Sequence, residues 1–371
     1  MLGLQQCGWY NQAEMAKPLA TEDLAHTTTC AKEALQALSN SRLFVTGGTG
    51  FFGHWLLESL LHANREFGLN VHVTVLTRSP ERFKQKSPHV AGDPAIRLLA
   101  GDIRNFEFPA EKFTHILHAA ADTVTPDDSR PAYELAESIV EGTRRVLQLA
   151  QAGGVERLLY ISSGAVYGRS STVPFTPETY TGGLDPLLPQ SSYDEAKRMA
   201  EHLCVAYAQG MVLEPVIARC FAFVGPHLPL DQHFAIGNFI RAAIEDSSIE
   251  IHGDGTPRRS WLYMSDLAVW LWTLLVRGES CRAYNVGSDE VYSIAAAARL
   301  VAQTLRPDGK GGSTLPVHIH GVADALAAVN CYVPSIDRAH QELGLKVWVP
   351  LAEAVRRTAR WHGLPAQGGR L

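Results

Sequence analysis

The sequence predicts an α/β fold, a doubly wound parallel sheet joined by a smaller, mainly C-terminal α/β lobe. Two observations carry that expectation. Short β-branched or apolar runs alternate with amphipathic helical runs up to about position 220, as in a parallel sheet covered by helices on both faces. Beyond Gly225 the alternation loosens around Pro226, Pro229 and a Gly-rich turn at Gly253 and Gly255.

The elements follow in order. Leu24, Ala31, Leu35 and Leu38 recur at helical spacing over 21–38, with a stop at Ser39 and Asn40. This predicts a packing or oligomer helix in an N-terminal extension, 1–40. Strands are expected at 43–46, 71–77, 96–100, 115–119, 157–162 and 215–219. Helices are expected at 54–67, 132–151 and 192–209, with another opened by Ser79 as N-cap and Pro80 at the first helical position. Later helices are expected near 234–245 and 265–276. The predicted domains are 41–220 for the sheet and 221–371 for the second lobe, with parts of 262–290 returning to the first.

Composition excludes several classes. Among 371 residues, 46% are hydrophobic and 19% charged, which rules out general disorder. A net charge of -5 offers no basic face for nucleic acid. Cys7, Cys30, Cys204, Cys220, Cys281 and Cys331 form no C-x-x-C pair, so reduced thiols are expected rather than a zinc site or disulfide framework. The N-terminus does not read as a signal peptide, and no run approaches the roughly 18 apolar residues of a membrane span. The sequence therefore predicts a soluble, cytoplasmic protein without membrane partners.

The segment Val45-Thr46-Gly47-Gly48-Thr49-Gly50-Phe51-Phe52-Gly53 ends a strand and opens a helix. Gly47, Gly50 and Gly53, spaced G-x-x-G-x-x-G, permit a tight turn, close approach to a pyrophosphate and close helix–strand packing. The helix N-terminus offers free N–H groups to phosphate. The pattern predicts a Rossmann-type dinucleotide site. Thr77 and Arg78 stand where a ribose-binding carboxylate is usual; the arginine suits a 2′-phosphate, and its plain alternative is a solvated side chain. Asp102, in Gly101-Asp102-Ile103, is a further candidate for the adenine end.

Tyr193 and Lys197 stand at i and i+4 on one face of a predicted helix. A neighbouring ammonium favours tyrosinate, which predicts a lowered Tyr193 pKa and a general base. Ser163 ends a predicted strand, facing the crevice where open parallel sheets bind ligands. The plain reading of Ser162 and Ser163 is turn chemistry.

With these motifs in order, the chain resembles the extended short-chain dehydrogenase/reductase family, in its nucleotide-sugar epimerase/dehydratase branch. The likeness spans about 42–361 through TGGTGFFG, HAAADT, SSGAVYG, YDEAK, RCFAFVGP, GDGTPRRSWLYMSDLA and YNVGS. It implies NAD or NADP as cofactor, a nucleotide-diphosphate sugar as substrate, and a homodimer built through the helix near 132–151 and the one carrying Tyr193. It implies catalytic roles for Ser163, Tyr193 and Lys197, the tyrosine taking a sugar hydroxyl proton while hydride passes to the cofactor. Cofactor contacts are implied for Gly47, Gly50, Phe51, Phe52, Gly53, Thr77, Arg78, Asp102, Ile103, Ala119, Ala120, Ala121, Tyr193 and Lys197. Substrate contacts are implied for Thr123, Ser163, Asn238 and Arg259, with Asn285 in a segment that lines the nucleotide pocket in relatives. The plain alternative for Arg259 is a surface salt bridge.

Two departures shape the expected activity. Dehydratases of this branch carry an Asp-Glu pair where this chain has Gly164 and Ala165, and relatives commonly have asparagine at Ala222. An epimerase is therefore expected first. An NADPH-dependent 4-keto reductase, or a dehydratase using Asp122 or Glu195, is the alternative. A non-catalytic dinucleotide sensor is the most distant reading.

Overall fold

The computed structural model describes residues 15–120, 131–168, 175–232, 234–307, 315–324, 326 and 329–364. Seven strands form one sheet: β1 (Arg42–Thr46), β2 (His72–Thr77), β3 (Ile96–Ala100), β4 (His115–His118), β5 (Arg157–Ser163), β6 (Glu214–Cys220) and β7 (Arg282–Val286). Their order is β7-β6-β5-β4-β1-β2-β3, and every pairing is parallel. This is the doubly wound Rossmann-type sheet, and its order reverses between β1 and β4, where such sheets open a ligand crevice.

Strand alternation feeds two cores. Leu43 and Val45 of β1 pack on one face of the sheet, while Phe44 packs on the other. On the first face lie α1 (Thr21–Cys30), α2 (Lys32–Ala37) and α3 (Phe51–Phe67). Short helices α4 (Pro80–Lys86) and α5 (Pro88–Ala91) follow β2. The opposite face is covered by α6 (Ala132–Gly153) and α7 (Ser192–Ala208), which pack on each other. Then come α8 (Ala235–Ile244), α9 (Met264–Arg277), α10 (Ile294–Leu305), α11 (Asp337–Leu343) and α12 (Leu351–Trp361). Short strand pairs link the later segments, such as Arg258–Arg259 with Cys331–Tyr332.

Caps explain the helix ends. Gly68 and Gly154 stop α3 and α6 in the left-handed region, at φ 63° and 66°, each giving its N–H back to the last turn. Helix α3 starts at Phe51 rather than 54, because Gly50 is already its N-cap. Pro80 opens α4 as expected, but the Ser79 side chain makes no capping bond. The single helix expected over 21–38 is two, broken at Ala31 (φ -102°, ψ 17°). Their buried face rests on α3 and α9, with Asp23 accepting from Tyr263 Oη and Arg357 Nη1, both at 2.8 Å. The described cysteines are free thiols, Cys204 and Cys220 buried. Among the described residues no helix is long and apolar enough to cross a membrane.

Candidate active site

A cavity of about 1160 Å³ opens along the C-terminal edge of the sheet. That exceeds the usual volume for one small ligand, about 300–1,000 Å³, and suits two ligands end to end. Gly47 and Gly50 of the loop after β1 line it. Gly47 sits at φ 72°, and a Cβ there would meet the backbone of Ala119 at 2.6 Å. Gly53 lies beneath rather than in the wall: its Cβ would stand 2.3 Å from the Gly48 backbone, so its missing side chain lets helix and loop touch. The N-cap of α3 has no side-chain capping bond, leaving the first-turn N–H groups to face a ligand. The cradle fits a pyrophosphate.

One side chain ties the loop to its neighbour. Thr46 Oγ1 lies 2.7 Å from His118 Nδ1 and accepts from Ala120 N at 3.0 Å. The ring's Nε2 faces Thr143 Oγ1 at 3.1 Å. His118 opens the HAAADT motif, but the motif by itself does not show this link between the β1 and β4 loops. Phe51 and Phe52 line the cavity, and Phe52 meets Phe223 edge-on at 5.1 Å. Ala119 and Ala120 also line it, whereas Ala121, Asp122 and Thr123 lie outside the described residues.

Thr77, Arg78, Asp102 and Ile103 line the end of the cavity reached by β2 and β3. Asp102 Oδ1 accepts from Arg104 Nε at 2.8 Å and from Arg104 N at 3.0 Å. Arg104, with a smaller contribution from Arg78, holds that carboxyl below its usual range.

At the other end, Ser163, Tyr193 and Lys197 come together in the wall. Ser163 caps a turn of 3₁₀ helix, its Oγ accepting from Ala165 N at 3.1 Å, so the plain turn role is real too. Its hydroxyl is also the polar neighbour of the Tyr193 phenol, favouring the ionised form. The expected effect of Lys197 on Tyr193 is not met. Burial pushes Tyr193 up to about 12. Lys197 gives its Nζ to the Ile161 carbonyl at 2.8 Å and stands 5.9 Å from the Tyr193 ring centre. Burial brings Lys197 itself down to about 8.

Sequence reasoning missed two features here. Tyr332, from the strand Cys331–Tyr332, stands half-buried in the cavity wall, and Ser163 is the polar neighbour of its phenol as well. Behind the wall, Ser162 Oγ donates to Glu201 Oε1 at 2.5 Å, and Arg219 donates to both oxygens of the same carboxylate. Arg219 Nη1 donates to Tyr167 Oη at 2.9 Å, and Tyr167 donates to Asn285 Oδ1 at 2.7 Å. That chain fixes the turn after Ser163. The pairing of SSGAVYG with RCFAFVGP was the available signal.

It also corrects the reading of Asn285. Its amide is used up by Tyr167, the Thr176 carbonyl and the Ser335 carbonyl, so it supports the turn and does not face the cavity. Asn238 does not line the cavity either, since α8 turns Ala235 and Ile236 toward it instead. Arg259 does line it. Its Nη1 donates to Asn330 Oδ1 at 3.2 Å and to the Arg258 carbonyl at 2.7 Å, and no carboxylate among the described residues pairs with it. A half-buried guanidinium held by carbonyl oxygens keeps its charge for an anionic ligand. Burial moves its pKa down from the ordinary arginine value.

A family model described as the NAD dependent epimerase/dehydratase family matches residues 43–287. The chain belongs to that family. The match covers the glycine cradle, Ser163, Tyr193, Lys197 and Arg259. Among curated relatives, UDP-glucuronic acid decarboxylase 1 of Xenopus tropicalis is 29% identical over 88% of this chain and 73% of its own. UDP-glucuronic acid decarboxylase 6 of Arabidopsis thaliana is 29% identical over 85% of this chain and 87% of its own. Among solved structures, an epimerase from Methanothermobacter thermautotrophicus matches at TM-score 0.73 and 25% identity, covering 90% of this chain and 95% of that one. The dTDP-glucose 4,6-dehydratase of Streptomyces venezuelae, solved with NAD bound, matches at 0.70 and 26%, covering 86% and 96%. As a member of the NAD dependent epimerase/dehydratase family, the protein is an enzyme of the NAD-dependent type.

Proposed function

We propose that this enzyme is a nucleotide-sugar epimerase that oxidises one sugar hydroxyl transiently and reduces the resulting ketone from its other face. One observation carries the choice. Among the described residues lining the cavity, the single carboxylate is Asp102, beyond the end of β3. Ser163 ends β5, and β3 is four strand spacings from β5, about 19 Å away at about 4.8 Å per strand. Gly164 and Ala165 provide no acid beside Ser163. Of the acids considered for elimination, Glu195 does not line the cavity and Asp122 lies outside the described residues. Among the described residues, expulsion of water therefore lacks a carboxylic acid beside the sugar, whereas hydride removal and return need no carboxylate, only the one phenol of Tyr193.

When bound, NAD accepts a hydride from the sugar carbon and can give it back. The remaining work falls to the chain. Tyr193 takes the hydroxyl proton and later returns it, with Ser163 orienting the sugar oxygen by hydrogen bond. Lys197, once its ammonium turns from the Ile161 carbonyl toward ligand, brings positive charge to the tyrosinate. Arg259 neutralises the diphosphate. In this reading 41–220 serves the dinucleotide and 221–371 mainly the sugar nucleotide, with parts of 262–290 returning to the first. The working form is a homodimer through α6 and α7, whose outer faces expose Tyr133 and Met199.

The curated relatives favour a second reading. If the oxidised carbon lies β to a carboxylate, the ketone accepts the electron pair released as carbon dioxide leaves, and no added acid is required. Incubating the purified enzyme with a panel of nucleotide sugars and nucleotide uronic acids, with catalytic NAD, separates these outcomes. A product of unchanged mass establishes epimerisation, and one lighter by carbon dioxide establishes decarboxylation. Loss of water sinks both. Turnover only with NADPH and a keto-sugar supports the reductase and gives Arg78 the 2′-phosphate. Light scattering on the same sample reads the dimer.

A further inference from the structure

Behind the glycine cradle four side chains converge, each presenting one buried polar atom that makes no hydrogen bond. His54 and Glu58 stand at i and i+4 on α3, so they share one face of the helix. His89 comes from α5, and His227 from the segment after Phe223–Val224. Glu58 Oε1 lies 3.2 Å from His89 Nε2, 3.7 Å from His227 Nε2 and 3.8 Å from His54 Nδ1. The donor atoms of His54, Glu58 and His227 all lie within 4.8 Å of one another. The side chains of His54, Glu58 and His227 are 3%, 5% and 8% exposed, and that of His89 is 25% exposed.

All four of these atoms are buried and make no hydrogen bond. Buried polar atoms in native proteins are almost always satisfied, because an unmet one costs about 1–3 kcal/mol. The three ring nitrogens face Glu58 Oε1 at ion-pair distances, and a cation between them would satisfy all four atoms at once. The other ends of Glu58 and His54 are already anchored. Glu58 Oε2 accepts from Leu19 N at 2.8 Å, and His54 Nε2 lies 3.4 Å from Ser87 Oγ. That leaves Glu58 Oε1 and His54 Nδ1 as the free ends, the arrangement in which second contacts orient metal ligands.

We propose that His54, Glu58, His89 and His227 form a structural site for a divalent transition metal, with Zn²⁺ the best fit. Three imidazole nitrogens and one carboxylate oxygen suit zinc and its neighbours, and exclude a calcium or magnesium cage of oxygens. Bonds of about 2.0–2.1 Å in a tetrahedron place the ligand atoms about 3.3 Å apart. The separations of 3.2, 3.7 and 3.8 Å from Glu58 Oε1 lie near that edge, while His89 stands outside the trio whose donor atoms are mutually within 4.8 Å, so its ring must swing in to complete the tetrahedron. A closed set of four protein ligands marks a structural role, since catalytic zinc keeps a position open.

The site would cross-link parts that frame the cofactor cavity. Helix α3 begins at the glycine loop, Phe83 and Lys86 just before α5 line the cavity, and so do Leu228 and Pro229 just after His227. Through Leu19, the N-terminal extension joins the same point. The ligands are scattered at 54, 58, 89 and 227, so no compact zinc motif announces them.

The test uses the full chain, purified without a metal-affinity tag and stripped with chelator. Titration with Co²⁺ should give one bound equivalent with the intense visible d–d absorption of a tetrahedral site. Zn²⁺ should then displace it and raise the thermal midpoint. His227→Ala and Glu58→Gln should lose the bound equivalent and the thermal shift. Because those buried variants could fail to fold, His89→Ala, at the exposed edge, should weaken Co²⁺ binding at least tenfold while keeping the native circular dichroism. Absence of stoichiometric Co²⁺ and Zn²⁺ binding to the wild-type chain overturns the proposal, as does binding that all three variants retain unchanged. Neither result bears on the sugar chemistry, which is read separately from product mass.

Discussion

Tyr332 lays its hydroxyl over Gly164: a Cβ at that glycine would come within 2.8 Å of the Tyr332 oxygen and 2.9 Å of the Phe221 ring. The two aromatic rings are themselves 4.7 Å apart and form one wall beside Ser163. Glycine here makes room for aromatic packing at the place where dehydratases of the family carry an acid.

Gly164→Ala should therefore overpack that wall. The contacts are ring atoms held in a packed cluster, so relief requires moving Phe221 and Tyr332 together. A stability loss of about 1–3 kcal/mol is expected, with turnover reduced and NAD affinity close to wild type. Urea unfolding and a cofactor titration check both parts. Tyr332→Phe removes the hydroxyl near Ser163 but keeps the ring, so it should lower turnover with little change in stability.

Gly53→Ala should act on the cofactor instead. Its Cβ would sit 2.3 Å from the Gly48 backbone, and no flexible side chain is available to yield. The loop must lift off α3, which misaligns the N–H groups facing the pyrophosphate. At least a tenfold loss of NAD affinity by calorimetric titration is the expected outcome. Wild-type affinity in the variant would show that the loop contacts the ligand loosely.

Tyr193→Phe should keep the fold and the cofactor but lose turnover by about 10²–10⁴-fold, the usual share of a positioned acid–base group. Lys197 makes a separate, signed prediction. Its folded pKa is brought to about 8 by burial, below the ordinary 10.5. Between those values the unfolded chain holds the proton that the folded chain has released, so stability rises with pH there. Relative to Lys197→Met, the wild type should gain stability between about pH 8 and about pH 10. Parallel unfolding curves across that range would remove the assigned shift.

Much of this was legible beforehand because it is written locally. β-Branched runs such as Val73-Thr74-Val75 mark strands, the glycine spacing marks the cradle, and i, i+4 spacing puts Tyr193 and Lys197 on one helix face. What stayed hidden depends on distant chain segments. Helical spacing cannot show that the Ile161 carbonyl holds the Lys197 ammonium, nor that burial outweighs charge at Tyr193. Tyr332 reaches Ser163 only through the pairing of Cys331–Tyr332 with Arg258–Arg259. Asn285 fell in the right segment but faces the supporting network, because β7 directs alternate side chains to opposite faces. The histidines around Glu58 come from separate elements, and only the folded chain gathers them.

His118 gives the sharpest pH prediction, because its network dictates its tautomer. Thr143 Oγ1 donates to the Ile139 carbonyl at 2.7 Å, so toward His118 it can only accept, and Nε2 must carry the proton. Nδ1 is then the acceptor, and Thr46 Oγ1 donates to it while accepting from Ala120 N. A second proton at Nδ1 would oppose the Thr46 hydroxyl and break the link that holds the β1 and β4 loops. Burial, helped by the charge of Lys197, accordingly brings His118 down to about 3 from 6.5. As pH falls from 6.5 toward 3, the unfolded chain binds a proton that the folded chain refuses. The stability present at neutral pH is lost across that window. His118→Gln keeps a donor and an acceptor but cannot take the charge. It should be less stable than wild type near pH 7, and the gap should shrink as the solution is acidified toward about pH 5. Urea midpoints for the two proteins at both pH values decide the matter: a gap that stays constant would mean that His118 titrates normally and that the Thr46 hydroxyl turns to meet it.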